Sequence, residues 1–576
     1  MFLLLASPAY SQYYLRGAVK DEQNKPLPGA KIFVQSLRNY FVAGASSADF
    51  GIVVRNLYDS LTVSLDGYET QTLSVKADQW QNIVLKISTD IANKNKPRLV
   101  SVTTDFNKVT QQHGFTSDET YFQLVENEWV FPINFPNTGF SLNVNKASYS
   151  NVRRFLNMGS PVPPDAVRTE ELVNYFNLFY QTPAPAQVFD VQSTLTNCPW
   201  NPENKLLYVN VSAKKIDLDK VPPGNFVFLI DVSGSMDMPN RLPLLKAAFQ
   251  LFVKNLRGID TVSIVTYGGG VQIWLPPTAG AQKDTILQSI ESLEAQGDTP
   301  GESGIKLAYQ LARRTFNPAG NNRVILATDG DFNVGETSEK ALDELISKQR
   351  QSGIYLTCLG VGMGNFKDSK LQTLAKKGNG NYAYLDNVNE AERVLVKELT
   401  QTLYAVANGV YMNVHFNASA VKQYRLIGFD NRKDALLGKE NELEGGEIGS
   451  GSCINAIFEY KPMANGMNSA ALPSALANLE LKYQLPNDTT VHKMNHPVLT
   501  KPVLLDSIHK DYSLAAAITL FALKLKGSAV AATISWDEII GIAKKGVQPN
   551  DYLQQEFLTL ILKAQKIYGS GKRKRL

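Results

Sequence analysis

The sequence has little cysteine, little net charge and no long apolar run, and each shortage excludes a class of protein. Three cysteines in 576 residues are too few for a disulfide scaffold or a zinc cluster. Lysine and arginine number 58 against 54 aspartates and glutamates, so charge gives no case for nucleic-acid binding. No apolar run approaches the ~20 residues of a membrane span, and no transmembrane segment is expected.

The sequence leaves open whether Cys198 and Cys453 form a disulfide, and the odd number of cysteines leaves one thiol over. Cys358 lies within the apolar run Ile354–Val361 and is predicted to be a small buried hydrophobic residue.

Motifs of the common enzyme classes are also missing. The sequence contains no Gly-x-Ser-x-Gly elbow, no Walker loop and no His-Glu-x-x-His pair. The sequence therefore predicts no catalytic residue and no organic cofactor, and it favours a protein that is not an enzyme.

The composition is that of a folded protein with several domains. Apolar residues make up 44% of the chain and charged residues 19%, with 26 phenylalanines and 24 tyrosines. Such a chain has enough material for hydrophobic cores, which excludes disordered and low-complexity classes. At about 100–200 residues per domain, the length predicts three or four domains.

The first residues are typical of the end of a signal peptide. Apolar residues at 2–6 precede Ala9 and Ser11, small side chains at the two positions that a signal peptidase reads. The stretch is short and has no basic residue before it, as a start codon assigned too late would explain. We expect residues 1–11 to be removed and the protein to be periplasmic, outer-membrane-associated or secreted. The alternative is an ordinary buried strand.

Residues 13–88 are predicted to form a small β-sandwich of short strands separated by turns. Within it, the runs Gly17–Asp21, Pro26–Val34 and Asp66–Thr70 resemble the carboxypeptidase-regulatory-like domain. That resemblance implies an accessory module without chemistry of its own. The polar residues 89–120 that follow are predicted to be a linker.

Residues 224–405 alternate between apolar strands and amphipathic helices. The strands are near-continuous apolar runs, such as Phe226–Ile230 and Arg323–Thr328. This pattern predicts a mostly parallel sheet with helices on both faces. Ligands of such sheets bind at the carboxyl ends of the strands.

Short oxygen-bearing side chains lie at that edge of the predicted sheet. Asp231, Ser233 and Ser235 follow the first strand, Thr299 precedes a later helix, and Asp329 ends another strand. These oxygens suit a hard divalent cation such as Mg²⁺, which prefers oxygen ligands. If the first three merely capped the next helix, that would explain one loop but not all three.

The order Asp-x-Ser-x-Ser, Thr and Thr-Asp-Gly resembles the metal-ion-dependent adhesion site of von Willebrand factor type A (VWA) domains. The resemblance implies that Ser233, Ser235 and Thr299 contact Mg²⁺, or Mn²⁺ or Ca²⁺, directly. It implies that Asp231 and Asp329 hold the metal directly or through water.

The residues beside Thr299 differ in what they add. Pro300 departs from the family pattern, which often has a smaller residue at this position, and Asp298 and Glu302 add negative charge that could strengthen cation binding.

The flanking segments resemble a bacterial VWA protein family. Residues 140–156 and 165–176 are similar to its region preceding the VWA domain, and residues 424–432 and 445–450 to its C-terminal domain of unknown function.

The expected fold is multidomain, with a Rossmann-like α/β VWA domain, a β-sandwich before it and a β-rich and helical domain after it. The expected boundaries are 1–11 (signal remnant), 13–88 (β-sandwich), 89–120 (linker), 121–223 (VWA-associated region), 224–405 (VWA domain) and 410–576 (C-terminal domain).

Two functions fit these observations. In the first, the exported protein binds a partner protein whose Asp or Glu carboxylate completes the metal's coordination. In the second, the metal activates water in a hydrolase, which also needs a general base or a group that stabilises the transition state. The predicted loops offer carboxylates but no histidine or lysine at a strand end, which favours binding.

Overall fold

The computed structural model describes most of the chain in two compact units, residues 1–96 and 97–576. The boundary falls inside the segment predicted as a linker, and residues 1–11 are outside the described ranges. Those ranges are 13–21, 24–44, 47–65, 68, 70–86, 98–101, 109–111, 119–297, 301–330, 336–363, 366–429, 432–435, 446–463, 475–486, 488–499 and 501–569. No helix within them is both long and apolar enough to cross a bilayer.

In its described residues, the first unit has seven strands in two sheets, with orders β4-β1-β7 and β3-β2-β5-β6. Every second residue of β4 is buried, and the buried residues of both sheets form one hydrophobic cluster. This alternation is that of strands with one face on a core and one in solvent. The strands are β1 (Tyr13–Asp21), β2 (Lys31–Val34), β3 (Asn39–Val42), β4 (Asp49–Val54), β5 (Tyr58–Ser64), β6 (Gln71–Lys76) and β7 (Trp80–Leu85).

The second unit mixes strands and helices. Its strands are β8 (Arg98–Ser101), β9 (Val109–Gln111), β10 (Thr120–Phe122), β11 (Asn137–Ser141), β12 (Phe189–Asn197), β13 (Lys205–Ala213), β14 (Gly224–Asp231), β15 (Thr261–Tyr267), β16 (Val271–Ala279), β17 (Asn321–Thr328), β18 (Ile354–Gly360), β19 (Tyr382–Tyr384), β20 (Ala405–Phe416), β21 (Val421–Ile427), β22 (Arg432–Ala435), β23 (Gly446–Gly449), β24 (Cys453–Pro462), β25 (Ala477–Gln484) and β26 (Val491–Val498). Its α-helices are α1 (Ala147–Asn157), α2 (Thr169–Asn174), α3 (Leu242–Asn255), α4 (Lys283–Glu291), α5 (Gly301–Arg314), α6 (Glu336–Gln351), α7 (Asp368–Lys377), α8 (Val388–Glu392), α9 (Leu399–Leu403), α10 (Lys510–Lys526), α11 (Trp536–Gly546) and α12 (Tyr552–Gly569).

A six-stranded sheet with the order β16-β15-β14-β17-β18-β19 forms the centre of this unit. Its strands pair in parallel except for β16, which is antiparallel at one edge. Alternate residues of β14 enter two different hydrophobic clusters: Phe226, Phe228 and Ile230 pack with α3, whereas Val227 and Leu229 pack with α5. Helices therefore cover both faces of the sheet.

Two further sheets combine strands from before and after the six-stranded sheet. Their orders are β12-β13-β24-β21 and β22-β8-β11-β20-β25-β26, and their residues share one hydrophobic cluster. The segments 121–223 and 410–576, expected as separate domains, thus contribute to common sheets. Helices α1, α2, α10, α11 and α12 form another cluster beside β13 and β24.

Two helical segments are interrupted. Between residues 165 and 179 the chain is α-helical only at Thr169–Asn174, and the positive φ angles of Asn177 (49°) and Phe179 (64°) prevent the helix from continuing. Between residues 388 and 403 the helical chain is divided into α8, a π-helical turn at Arg393–Lys397 and α9.

All three cysteines are buried and free. The Cys453 thiol lies 3.5 Å from the Ser212 hydroxyl, and the Cys198 thiol lies 3.8 Å from Glu459 Oε1. Cys198 and Cys453 therefore do not form a disulfide here, which answers the question that the sequence left open. Cys358 lies in β18 at 0% exposure, as its apolar surroundings predicted, and burial raises the pKa of its thiol.

Candidate functional site

The carboxyl ends of β14 and β17 lie side by side. These strands pair in parallel up to Ile230 and Ala327, so Asp231 and the residues after β17 reach the same edge of the sheet. Asp231 and Asp329 are buried there, at 0% and 3% exposure. Parallel pairing therefore brings together two predicted site residues that are almost 100 positions apart in sequence.

Hydrogen bonds link four of the predicted site residues. The Ser233 and Ser235 hydroxyl oxygens are 3.2 Å apart, and the Ser235 hydroxyl donates to Asp329 Oδ2 at 2.8 Å. Asp231 Oδ1 accepts from the Ser233 backbone N–H at 3.0 Å. We call Asp231, Ser233, Ser235 and Asp329 the strand-end cluster. Thr299, the fifth predicted residue, lies outside the described residues.

Close backbone packing holds the turn that carries the two serines. The Gly234 N–H donates to the Gly297 carbonyl at 3.0 Å, and the Gln296 N–H donates to the Val232 carbonyl at 2.6 Å. Gly268 packs against the same turn, where an added Cβ would lie 2.5 Å from the Ser233 nitrogen. Only glycine fits that approach, so the sequence preorganises the turn through its neighbours.

The cluster does not act as a helix cap. Ser233 precedes a short 3-10 turn but makes no side-chain capping bond, and α3 begins only at Leu242. The alternative in which Asp231, Ser233 and Ser235 cap the next helix is therefore wrong.

Two residues of this site were missed by the sequence analysis. The Thr328 hydroxyl donates to Asp231 Oδ2 at 2.8 Å, and Arg241 Nη1 donates to Asp329 Oδ2 at 2.7 Å. Thr328 directly precedes Asp329, which was a usable signal, since the side chain before a strand-end aspartate can reach the neighbouring strand. Arg241 carried no such signal, because its contact with Asp329 joins residues 88 positions apart.

Burial dominates the electrostatics of the buried carboxylate. Desolvation raises the pKa of Asp231, and hydrogen bonds from Ser233 and Thr328 offset this only in part. The nearby charge of Asp329 raises the pKa of Asp231 further. Burial of two carboxylates beside neutral hydroxyls costs free energy unless a cation compensates them.

The residues present fit a small, hard divalent cation. Carboxylate and hydroxyl oxygens are the ligands that Mg²⁺ takes, and they lie within hydrogen-bonding distance of one another. Across the described ranges, no group of three or more His, Cys, Asp or Glu side chains is placed to hold a metal. A metal at this edge would therefore depend on the serine hydroxyls as well as on the two aspartates.

Three family models match the chain. A model described as von Willebrand factor type A domain matches residues 226–331, and one described as von Willebrand factor matches residues 115–208. A model described as "Uncharacterized protein YfbK, C-terminal" matches residues 401–567. The first match contains the strand-end cluster.

A protein of Escherichia coli, YfbK, is 38% identical over 450 residues, covering 74% of this chain and 77% of its own length. The chain belongs to the YfbK family. The prediction of a VWA domain within a multidomain chain is thus confirmed, together with the prediction of a C-terminal domain shared with a bacterial family.

More distant relatives match parts of this YfbK-family chain. Inter-alpha-trypsin inhibitor heavy chain H2 of Mesocricetus auratus is 26% identical over 209 residues, which is 35% of this chain and 21% of that protein. The solved structure of von Willebrand factor type A from Catenulispora acidiphila is 16% identical and covers 64% of this chain and 89% of its own, with a TM-score of 0.37. The metal ligands and the carboxypeptidase-regulatory-like module stay predictions.

Proposed function

We propose that this protein is an exported, metal-dependent protein-binding protein that acts through a metal-ion-dependent adhesion site in its VWA domain. The observation that carries the proposal is the hydrogen-bonded strand-end cluster at the carboxyl edge of the sheet. VWA domains typically mediate protein interactions, which supports binding as the role of this edge. The sheet itself supports a Rossmann-like arrangement of that domain.

Ser233, Ser235 and Thr299 would hold Mg²⁺, or Mn²⁺ or Ca²⁺, with Asp231 and Asp329 contributing directly or through water. The metal would supply a positive centre that attracts a carboxylate. The protein's own role is to fix the two serines and to bury the aspartates, so that little water competes. Charge-assisted contacts in such a partly desolvated place are stronger than the same contacts in water.

The proposed partner is a protein that offers an Asp or Glu side chain. Hydroxyl ligands are neutral, and two aspartates at most cancel the charge of a divalent ion. An added carboxylate therefore meets an under-neutralised cation, since Arg241 already pairs with one of the two aspartates. The binding site would accept an acidic side chain at the edge of the sheet.

The N-terminal region supports export in this proposal. The β-sandwich of the first unit is consistent with an accessory carboxypeptidase-regulatory-like module, and the sequence before it with the end of a signal peptide. We place the protein in the periplasm, on the outer membrane or outside the cell. Fractionation of the native host tests this, and cytoplasmic recovery with Met1 intact would contradict it.

A metal-dependent hydrolase is the less favoured function. A hydrolytic metal needs a group that takes or gives a proton within hydrogen-bonding reach of the reacting water. The described histidines lie in β20, in β26 and just before α10, which are not elements of the six-stranded sheet. Arg241, the basic residue at the cluster, does not lose its proton at neutral pH.

Calorimetric titration with Mg²⁺ and Mn²⁺ tests the metal site directly. We expect one site in the wild type and no binding in Asp231→Ala. Asp284→Ala removes an exposed aspartate from α4 of the same domain and should bind like the wild type. Equal binding by the wild type and Asp231→Ala would refute the assignment.

Thr299→Ala then tests whether the metal site is the binding site. Because the sequence places Thr299 in a Gly- and Pro-containing stretch ahead of a helix, the change should alter the free energy of unfolding by less than ~1 kcal/mol. Capture of an envelope partner by immobilised protein in Mg²⁺ should fall to the level seen with chelator. Retention of the partner by both the variant and the chelated protein would move the binding site to the β-rich regions.

A further inference from the structure

Arg241 is a buried cation in direct contact with the strand-end cluster. It immediately precedes α3, its side chain is only 9% exposed, and its backbone N–H donates to the Met238 carbonyl at 2.9 Å. Its guanidinium donates to Asp329 Oδ2 at 2.7 Å, to the Ser235 carbonyl, and to the Met363 carbonyl at 3.0 Å. Three acceptors from three segments fix the position of the positive charge.

Arg241 shares one oxygen atom with a predicted metal ligand. Asp329 Oδ2 accepts from both the Ser235 hydroxyl at 2.8 Å and Arg241 Nη1 at 2.7 Å. A carboxylate oxygen that is already charge-paired is a weaker donor to a metal. The guanidinium also places a positive charge beside any cation that Ser235 and Asp329 hold, and like charges at this range repel.

We propose that Arg241 is a positioning residue that weakens metal binding on its own and thereby makes stable metal occupancy depend on an external carboxylate. This inference rests on the proposed metal site. Among the described residues of the cluster, two aspartates and Arg241 leave a single net negative charge around a divalent ion. A partner's carboxylate completes the neutralisation, so metal and partner strengthen each other's binding by the same factor.

Arg257, at the opposite edge of the same sheet, provides a control for the substitution of Arg241. Arg257 pairs with Asp260, with Nη2 and Oδ1 2.6 Å apart, and Asp260 also accepts from the Gly224 N–H at the amino end of β14. Arg257→Gln therefore removes an arginine from an aspartate ion pair of the same domain, far along the strand from the cluster. It controls for loss of charge and for general loss of stability.

The test is a Mn²⁺ titration of the full chain followed by electron paramagnetic resonance, with and without excess acetate as the carboxylate probe. In the absence of acetate, Arg241→Gln should bind Mn²⁺ about ten-fold more tightly than the wild type, because a positive charge a few ångströms from a divalent ion is removed. Arg241→Lys keeps the charge and Arg257→Gln keeps the cluster, so both should bind like the wild type. Acetate should strengthen Mn²⁺ binding more in the wild type than in Arg241→Gln.

The remaining outcomes are distinct. In one, Arg241→Gln binds Mn²⁺ no more tightly than the wild type while Asp231→Ala binds none. That result would overturn the role of Arg241 and leave the metal site standing. Weaker binding by both Arg241 variants would show that the arginine supports the turn instead of opposing the metal. Absence of Mn²⁺ binding in the wild type would overturn the metal site, and this inference with it.

Discussion

Two regions of the second unit concentrate charge, and they treat it in opposite ways. Where α1 meets α8, Arg153 pairs with Asp386, Glu390 and Glu556, and Arg393 pairs with Glu390 and Glu398. We call these six residues the buried ion network. In the strand-end cluster, by contrast, Asp231 accepts from a backbone N–H and a neutral hydroxyl, and the one arginine, Arg241, pairs with Asp329.

The pKa values of Glu390 and Asp231 express this difference. Burial acts to raise the pKa of Glu390, but the charges of Arg393 and Arg153 outweigh it and lower the value to about 2. For Asp231, burial prevails and the pKa is raised, because hydrogen bonds alone oppose it. A buried carboxylate flanked by two arginines, as at Glu390, holds the structure together, whereas one held by hydrogen bonds alone, as at Asp231, is suited to taking up a cation.

The largest effect is expected in the buried ion network. Glu390→Gln keeps the side-chain volume but removes the buried carboxylate that Arg153, Arg393 and the Tyr175 hydroxyl share, which should lower the free energy of unfolding by about 3 kcal/mol. Urea unfolding measures this. Glu392→Gln on the same helix breaks only an exposed pair with Lys397 and should cost less than ~0.5 kcal/mol. Equal losses of unfolding free energy in the two variants would show that the buried ion network contributes no more to stability than an exposed surface ion pair.

The contribution of Glu390 to stability should depend on pH. Because the pKa of Glu390 is about 2 in the folded protein and 4.5 as its ordinary value, ionised Glu390 stabilises the fold. That contribution is complete above about pH 4.5 and is lost as the pH falls towards about 2. The difference in unfolding free energy between wild type and Glu390→Gln should therefore shrink steadily between about pH 5 and pH 3. A difference that stays constant over this window would contradict the lowered pKa.

The sequence predicted the strand-end cluster better than it predicted the buried ion network, for a physical reason. Asp231, Ser233, Ser235 and Asp329 lie at the ends of apolar strands, and parallel pairing alone brings such ends together. The network joins α1 to α8 and α12 across more than 200 positions, and no local pattern marks partners so far apart.

The same limit applies to the sheets outside the VWA domain. Strand β13 pairs with β24, and β11 pairs with β20, although the residues of the six-stranded sheet lie between the two partners in the sequence. Each strand shows its apolar run in the sequence, but its partner is chosen by packing in the folded chain. The π-helical turn at Arg393–Lys397 has no local signal in the sequence, and the buried pairs that Arg393 makes there with Glu390 and Glu398 form only in the folded chain.

The smallest effect is expected for Glu302→Gln, a variant that tests whether an acidic residue near the strand-end cluster strengthens metal binding through its proximity alone. The sequence suggested this for Glu302, yet in the structure its carboxylate pairs with Lys306 one turn along α5. The side chains are 27% and 50% exposed, so solvent screens the pair and the lysine offsets its charge. Glu302→Gln should therefore change the Mn²⁺ dissociation constant by less than about two-fold and the free energy of unfolding by less than ~0.5 kcal/mol. Calorimetry beside Asp231→Ala measures the first and urea unfolding the second. A ten-fold loss of Mn²⁺ affinity in Glu302→Gln would place this carboxylate at the metal and would extend the strand-end cluster to the first turn of α5.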